Sequence, residues 1–477
     1  MTAMPSTGPG HDAADGEDPI FRPLEFRNLT IKNRVLRSNI SGRYDNYDGS
    51  GNAVRINWEL KFARGGVGAI VSSFVPVSPE GRIVPHYATI ERDDRIPFWR
   101  ELGKRVHDED CRFILQLSHS GRQRDIVAFE QPVGLSATDR PEAVHGLRAT
   151  RMNRRQIAKV ISDFAHGARR AREAGLDGVE LHSANGYLIT QFLSSAINDR
   201  RDDYGGSLEN RARFLLDVVR AIRAEVGDDF HLQAKISAIE HNNALFPWEA
   251  KGNTLEESVR VCRWLEQAGV DAIHVSTGSS FPHPRNPAGD FPVEVAAQTY
   301  GTMIASGTGA LRNYVIFRTP GLRRVFRWAW TRTVPRADRI EGLNLVAARA
   351  IKRAVGVPVI CTGGFQTASV IRRAIEDGSC DAVSGARTLV ANNDLVNLFA
   401  AGHDRPPRPC TYCNRCLINT LQYPLGCYEP LRYSSREEMV EQVLSVYTPA
   451  EAANGDAAGT PGGGPSRRAP SSEARQT

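Results

Sequence analysis

The chain lacks the features that would place it in a membrane, outside the cell or on nucleic acid. No run of about 18 apolar residues occurs, so no segment is predicted to span a bilayer. Residues 1–18 are polar and rich in Gly, Pro and Asp, unlike a secretory signal. A net charge of +6 over 477 residues is too small to indicate a nucleic-acid partner. With 41% hydrophobic residues, the chain is predicted to be a cytoplasmic globular protein.

The eight cysteines also lack the pattern of a secreted disulfide framework. Four of them are scattered and are predicted to be reduced core residues. These four are Cys111, Cys262, Cys361 and Cys380.

The other four cysteines form a compact group near the C-terminus. Cys410, Cys413 and Cys416 follow a C-x₂-C-x₂-C spacing, and ten residues separate Cys416 from Cys427. Three closely spaced thiolates can coordinate neighbouring irons of a cubane cluster, and a fourth thiolate from a later loop can complete the coordination. Four-cysteine zinc sites more often pair two separate C-x₂-C units, so the spacing favours a 4Fe–4S cluster and leaves zinc as the alternative.

Between Pro19 and Leu398, short apolar strands alternate with amphipathic helices. Eight such units predict a (β/α)₈ TIM barrel over residues 19–404. The competing fold, a doubly wound sheet, is expected to have a G-x-G-x-x-G turn after its first strand. The turn after Ile40 lacks this motif, which favours the barrel. The strand candidates are Val35–Ile40, Gly68–Phe74, Arg112–Leu117, Asp177–His182, His231–Ser237, Ala272–Ser276, Val357–Thr362 and Ala382–Ala386. The clearest helices are Ile157–Ala174, Leu208–Val226, Leu255–Ala268 and Asn344–Val355.

A long insertion, about 281–339, interrupts the repeat between the sixth and seventh strands. Six arginines and no acidic residue occur between Leu311 and Thr333. A helix after Pro320 is predicted to carry an apolar face, with arginines mostly opposite. The apolar face comprises Leu322, Val325, Phe326, Ala329 and Trp330, and the arginines are Arg323, Arg324, Arg327 and Arg332. Three roles stay open: lid or packing over the barrel mouth, docking on an acidic partner, and, least favoured, contact with a membrane surface.

The C-terminal part departs from the repeat as well. Residues 405–448 carry the cysteine group and a short helix near Glu437–Tyr447. Residues 449–477 are mostly Ala, Gly, Pro, Ser and Arg, and are predicted to be disordered, as are residues 1–18.

Polar residues and glycines follow the predicted strands, where the active sites of such barrels lie. Gly363, Gly364 and Gly385 follow the last two strands and would let backbone N–H groups approach a phosphate. Arg387 could add a bidentate charge contact. Together these residues predict a site for a phosphate-bearing cofactor.

The fourth strand is followed by His182, Asn185 and Tyr187. An imidazole and an amide can donate hydrogen bonds to one carbonyl oxygen, and a phenol can deliver a proton beside them. This set suits reduction of a C=C bond conjugated to a carbonyl group, because negative charge builds on the oxygen and a proton must reach carbon.

The block from His182 to Phe214, with the strand-end residues, resembles the old yellow enzyme family of flavin ene-reductases. The resemblance covers most of Phe21 to Ala401, apart from the insertion. It implies FMN at the barrel mouth, with His182 and Asn185 gripping the substrate carbonyl oxygen and Tyr187 donating the proton.

The same resemblance implies roles for the cofactor residues. Ser38 would supply backbone contacts, Ser41 would tune the reduction potential, and Gln116 would bond the pyrimidine edge of the flavin. Lys235 would stand where many members have Arg, as a cation beside N1 and the C2 carbonyl. The phosphate would be held by Gly363, Gly364, Gly385 and Arg387.

The cysteine group resembles that of an iron–sulfur branch of the family, whose barrel domains include those of 2,4-dienoyl-CoA reductase and trimethylamine dehydrogenase. Those relatives continue into further nucleotide-binding domains, and too few residues follow Cys427 to form them. The electron donor therefore stays open between NAD(P)H at the barrel mouth and a separate reductase or ferredoxin.

Three functions are compatible with these features. The first is an ene-reductase acting on a small-molecule unsaturated ketone, aldehyde or thioester, which the carbonyl-clamp residues favour. The second is an amine or C–C dehydrogenase that passes electrons through the cluster, and the third is a non-catalytic electron-transfer subunit. Substrate identity, reaction direction and oligomeric state stay open. Candidates for the pocket wall are Phe74, Phe281, Trp328 and Trp330.

Overall fold

The structure is a computed structural model that describes residues 18–124, 133–242 and 252–448. The terminal segments predicted to be disordered, apart from Asp18, lie outside the described residues. Among the residues that are described, no helix is both long and apolar enough to cross a bilayer. The cytoplasmic location stays a prediction.

Eight parallel strands close into a barrel, which confirms the predicted fold. Each strand pairs with the next along the chain, and the eighth pairs with the first. Their residues are almost all buried, which suits the continuous apolar runs of the sequence. The strands are β1 (Val35–Arg37), β2 (Ala69–Val71), β3 (Arg112–Ser118), β4 (Gly178–Ser183), β5 (His231–Ser237), β6 (Ala272–Ser276), β7 (Val359–Thr362) and β8 (Ala382–Gly385).

Helices surround the barrel close to where the periodicity predicts them. Two begin at capping boxes, in which Asn153 pairs with Gln156 and Thr254 pairs with Glu257. The helices before the insertion are α1 (Ala53–Arg64), α2 (Ile96–His107), α3 (Arg154–Glu173), α4 (Leu188–Leu193), α5 (Leu208–Val226) and α6 (Leu255–Gln267).

Short strands accompany the barrel. Leu24–Glu25 pairs antiparallel with Thr30–Ile31, and Val133–Ser136 pairs in parallel with Arg148–Arg151. Val75–Pro76 runs beside the end of β3 and extends the wall of the barrel mouth on that side.

The insertion folds into three helices with their own apolar core. They are α7 (Val293–Thr299), α8 (Thr308–Arg318) and α9 (Pro320–Thr333), with a 3₁₀ turn at Tyr300–Ser306. The core includes Phe291, Tyr300, Met303, Phe317 and Trp330.

The predicted apolar face of α9 is only partly correct. Trp330 is buried and Phe326 packs against the insertion core, whereas Leu322 and Val325 are exposed. The small core of the insertion covers only one side of α9. The apolar residues of α9 extend around more of the helix than that side, so some of them stay exposed.

The chain then returns to the barrel and ends beside the insertion. The helices after the insertion are α10 (Leu345–Lys352), α11 (Ala368–Glu376), α12 (Arg387–Ala391), α13 (Leu395–Ala400), α14 (Arg415–Asn419) and α15 (Arg436–Leu444). Ile418 of α14 belongs to the apolar core of the insertion, so the cysteine segment packs directly on it.

Candidate active site

The barrel mouth holds a cavity of about 320 Å³. Nine of the residues predicted for the site line it, although they come from five strand ends. They are Ser38, Ser41, His182, Asn185, Tyr187, Lys235, Gly363, Gly364 and Arg387.

His182 and Tyr187 stand together on one wall of the cavity. Their ring centroids are 4.7 Å apart, and Phe74 packs edge-on against Tyr187 at 4.9 Å. Burial, aided by the charge of Lys235, lowers the pKa of His182 to about 3, so the imidazole is neutral at physiological pH. Burial also raises the pKa of Tyr187, so the phenol keeps its proton. A neutral donor and a protonated phenol are the states that the predicted roles require.

Asn185 is held in the left-handed region, with φ +59°, by the turn after β4. Its Nδ2 donates to the carbonyl oxygen of Thr277 at 3.1 Å and to Asn286 Oδ1 at 2.9 Å. Both amide hydrogens are therefore in use, and a substrate oxygen would have to replace one of these acceptors.

Lys235, on β5, reaches across the barrel mouth to the segment after β1, which lies on the opposite side of the barrel. Its Nζ donates to Ser38 Oγ at 2.7 Å and to Asn39 Oδ1 at 2.5 Å. Asn39 Nδ2 in turn lies 3.5 Å from His182 Nε2. Burial lowers the pKa of Lys235 to about 8, while Glu180 acts to raise it, so the amine is mostly charged at neutral pH.

Gln116 lies behind the cavity in a buried polar network. Its Nε2 donates to Glu180 Oε1 at 2.8 Å, and His274 Nδ1 lies 2.6 Å from Glu180 Oε2. Burial alone would raise the pKa of Glu180, but His274, Lys235 and the donated hydrogen bond of Gln116 lower it to about 2. Gln116 Oε1 is buried and accepts no hydrogen bond from the described residues, so it is available to a donor on a bound group.

Gly364 suits the phosphate role best among the predicted glycines. Its φ is +70°, and a Cβ there would come within 3.1 Å of the Tyr412 ring, so a larger residue would be strained and crowded. Gly385 ends β8 and is engaged by the backbone, since its carbonyl oxygen accepts from Ser38 N at 2.8 Å. The Arg387 guanidinium lies 5.6 Å from the Tyr412 ring centroid and donates to Asn414 Oδ1 at 2.5 Å.

Ser41 and a second tyrosine complete the wall near Phe74. Ser41 Oγ accepts from Phe74 N at 3.0 Å. Tyr87 lines the same cavity, and burial raises its pKa to about 12. Tyr300 lines the cavity as well, and burial raises its pKa, so the site offers three protonated phenols, of which only Tyr187 belongs to the His182 block in sequence.

Several lining residues escape prediction from the sequence. Asn39 directly follows Ser38, which was predicted. The strand-end segment therefore contained a signal for Asn39. Asn286, Tyr300 and Met303 come from the insertion, where no strand-end rule applies.

The prediction of the pocket-wall residues is wrong for Trp328 and Trp330. It is confirmed for Phe74 and Phe281, which line the cavity. Trp330 is buried in the insertion core, and its Nε1 donates to the carbonyl oxygen of Gly289 at 3.0 Å. Trp328 is 57% exposed on the outer surface.

FMN fits the donor set of this mouth. The unpartnered Gln116 Oε1 and the Lys235 cation match the polar edge of a flavin ring, and Arg387 brings a cation to the cavity that suits a phosphate. His182 Nδ1 is likewise buried and has no hydrogen-bond partner among the described residues.

The four C-terminal cysteines gather in one region but are not placed as a metal site. Burial raises the pKa of Cys416 well above its usual value, and the nearby Cys410, Cys413 and Cys427 act on it electrostatically. Among the residues that the structure covers, no group of three or more His, Cys, Asp or Glu side chains is arranged to hold a metal ion. The donor chemistry fits a cluster, while the positions of the thiols show none.

The scattered cysteines behave as predicted. All four are free and buried. Their pKa values are raised by burial, so they are inert core thiols.

A closed (β/α)₈ barrel with these polar and cationic side chains at its mouth suits the binding of a flavin. The chain belongs to the NADH:flavin oxidoreductase / NADH oxidase family, the old yellow enzyme family, whose model matches residues 19–305. The family is one of NADH:flavin oxidoreductases.

The relatives differ in how much of their length this chain spans. It is 29% identical over 438 residues to an NADH oxidase of Thermoanaerobacter brockii, a match that covers 88% of this chain and 59% of the relative. It is 27% identical over 402 residues to a 4,4'-dithiodibutanoate disulfide reductase of Rhodococcus erythropolis, covering 83% of this chain and 92% of the relative. An old yellow enzyme homologue from Zymomonas mobilis shares the fold, with a TM-score of 0.61 at 21% identity over 87% of this chain and 98% of that one.

Proposed function

We propose that the protein reduces the C=C bond of an α,β-unsaturated carbonyl compound. The observation that carries this proposal is the shared cavity wall of His182, Asn185 and Tyr187, with a neutral imidazole and a protonated phenol. The family supports the flavin chemistry, and these residues support the choice of a conjugated carbonyl substrate.

The chain would hold FMN at the mouth of the barrel. When bound, FMN supplies a hydride to the β carbon of the substrate and is reloaded by NADH or NADPH. The residues that would hold its ring are Ser38, Ser41, Gln116 and Lys235, and those that would hold its phosphate are Gly363, Gly364, Gly385 and Arg387.

His182 and Asn185 would donate hydrogen bonds to the substrate carbonyl oxygen. Because the site is buried, these fixed dipoles stabilise developing negative charge more than water would. Tyr187 Oη would then give its proton to the α carbon. The Lys235 cation lies close enough to His182 to influence its pKa, and would lower the energy of negative charge nearby.

The competing proposal is oxidation of an amine or a C–C bond. It makes no use of a carbonyl clamp, so the three residues disfavour it. A decisive experiment is anaerobic mixing of the flavin-loaded protein, first with NADH or NADPH and then with an enone. Reduction by a nucleotide and rapid reoxidation by the enone would support the proposal. Reduction by a tertiary amine and no reoxidation by enones would contradict it.

The same experiment addresses the electron donor. If neither nucleotide reduces the flavin while chemical reduction followed by an enone succeeds, a separate ferredoxin or reductase supplies the electrons. The chain spans 59% of the length of the NADH oxidase and 51% of the N,N-dimethylglycine/sarcosine dehydrogenase that it matches.

We also propose that Cys410, Cys413, Cys416 and Cys427 bind a 4Fe–4S cluster. The spacing and the clustering around Cys416 support it. The segment also touches the phosphate region, because Tyr412 Oη donates to the Gly364 carbonyl oxygen at 2.6 Å.

Metal analysis of anaerobically purified protein tests the cluster. Iron and acid-labile sulfide in equal amounts, lost in Cys416→Ser and kept in Cys262→Ser, are expected. Zinc in place of iron would replace the proposal by the alternative, and the absence of both metals would overturn it.

A further inference from the structure

The outer surface of the insertion exposes large apolar side chains. On α9, Leu322, Val325 and Trp328 are 46%, 63% and 57% exposed. Their spacing of three residues places them on one side of the helix. On α8, Leu311 and Val315 are exposed as well. Scattered exposed apolar residues are ordinary, but a row of them along consecutive helices marks an interaction surface.

The inner sides of α8 and α9 pack against each other and against the core of the insertion. Phe326 and Trp330 stack at 5.7 Å, and Phe317 contacts Phe326 at 5.1 Å. Phe317 also contacts Tyr300 at 4.8 Å, and Tyr300 lines the active-site cavity. The exposed row and one wall of the cavity are therefore two sides of one small packed unit.

The charged side chains of α8 and α9 are all basic, and one of them, Arg327, forms an ion pair with Glu294 of α7. The stretch from Leu311 to Thr333 holds six arginines and no acidic residue. The Arg332 guanidinium lies 4.3 Å from the Trp328 ring centroid, so cation and indole share the outer surface. Arginine mixed with Trp, Leu and Val on an exposed helix is typical of helices that lie in the headgroup region of anionic membranes.

We propose that α8 and α9 dock the protein on an anionic lipid surface. Val325 and Trp328 would enter the headgroup boundary, and the arginines would contact lipid phosphates. An acidic protein with an apolar patch is the alternative occupant, and the vesicle experiment separates the two. Residues 449–477 contain no Leu, Ile, Val, Phe, Trp or Met, so their composition does not suit them to cover it. This proposal does not depend on the reaction assigned above.

Vesicle flotation of the full-length, flavin-loaded protein tests the proposal. We expect binding to vesicles of phosphatidylcholine mixed with phosphatidylglycerol, weakened by added salt, and little binding to pure phosphatidylcholine. Val325→Glu with Trp328→Glu should reduce partitioning by about tenfold or more. Arg324→Gln with Arg332→Gln should reduce it roughly 10- to 30-fold.

A matched control places the same apolar-to-acidic change at exposed sites elsewhere. Val346 and Leu431 are 79% and 87% exposed, and Val346→Glu with Leu431→Glu should bind vesicles as the parent does. Flavin content and turnover of a water-soluble substrate should be unchanged in all variants, which shows that they fold.

Three results would overturn the lipid assignment. The first is no binding to either kind of vesicle, and the second is equal binding by the parent and the α9 variants. The third is an effect of the α9 variants on self-association, or on salt-sensitive reduction by an acidic ferredoxin, without an effect on vesicle binding. That last result would assign the surface to a protein.

Discussion

The cavity wall after β4 and the outer surface of the insertion depart from ordinary burial in opposite directions. The wall buries the His182 imidazole and the Lys235 amine and half-buries the Tyr187 phenol, whereas the insertion exposes Val325 and Trp328. Buried polar groups and exposed apolar rows are the informative exceptions to the usual distribution. In the cavity wall, burial sets the protonation states of the side chains. On the outer surface of the insertion, apolar side chains stay exposed, where a surface outside the chain can contact them.

Each of the two regions has contacts that stabilise its unusual burial or exposure. At the wall, Lys235 has two oxygen acceptors and Glu180 accepts hydrogen bonds from its neighbours, so the cost of burial is partly offset. On α9, the inner stripe through Trp330 anchors the helix and leaves the outer stripe unconstrained.

Replacing Tyr187 by Phe should produce the largest change. Loss of the proton donor should lower turnover of a weakly activated enone by about 10²- to 10⁴-fold, while flavin binding is kept. Stopped-flow reoxidation of the reduced flavin measures this directly. Tyr87→Phe is the matched control, since that phenol shares the cavity, and an equal loss there or an unchanged rate in Tyr187→Phe would contradict the assignment.

Two tryptophans two residues apart allow a sharper test of the insertion. Trp330→Ala should destabilise the insertion by about 3–5 kcal/mol, because it empties a buried site. Trp328→Ala should change stability by less than about 0.5 kcal/mol, since its ring is largely in solvent. Hydrogen exchange of α7 to α9 separates the two, and similar protection in both variants would show that the two sides of α9 are not distinct.

The charge of Lys235 should limit the alkaline range of the enzyme. Its pKa of about 8 means that the cation is lost as pH rises above that value, with about a tenth left one pH unit higher. Flavin reduction should therefore slow above pH 8 in the parent and stay level in Lys235→Arg, because Arg keeps its charge. Parallel pH profiles in the two proteins would refute this role for Lys235.

His182 should make the fold sensitive to acid. Its pKa is about 6.5 in the unfolded chain and about 3 in the fold, so the unfolded state binds the extra proton between these values. Stability should fall as pH drops below 6.5, by about 1 kcal/mol per pH unit from this group. Urea unfolding at pH 7.5 and 5.5 should show a smaller decrease for His182→Gln than for the parent, and equal decreases would contradict it.

Much of this molecule follows from local patterns. The alternation of apolar strands and amphipathic helices predicts the barrel, and residues at the strand ends predict nine of the residues that line the cavity. The scattered cysteines were also predictable, since three of the four stand in apolar or helical stretches. These features depend on neighbours in sequence, where the periods of helix and strand act directly.

Only the tertiary structure decided the rest. Lys235 meets Ser38 and Asn39 across nearly 200 positions because the barrel closes, and no local pattern encodes that distance. The insertion placed Tyr300 in the cavity wall and turned Trp328 outward, against the prediction for that residue. Periodicity shows that α9 has apolar residues, but which of them are covered depends on how much partner surface the rest of the chain brings to it.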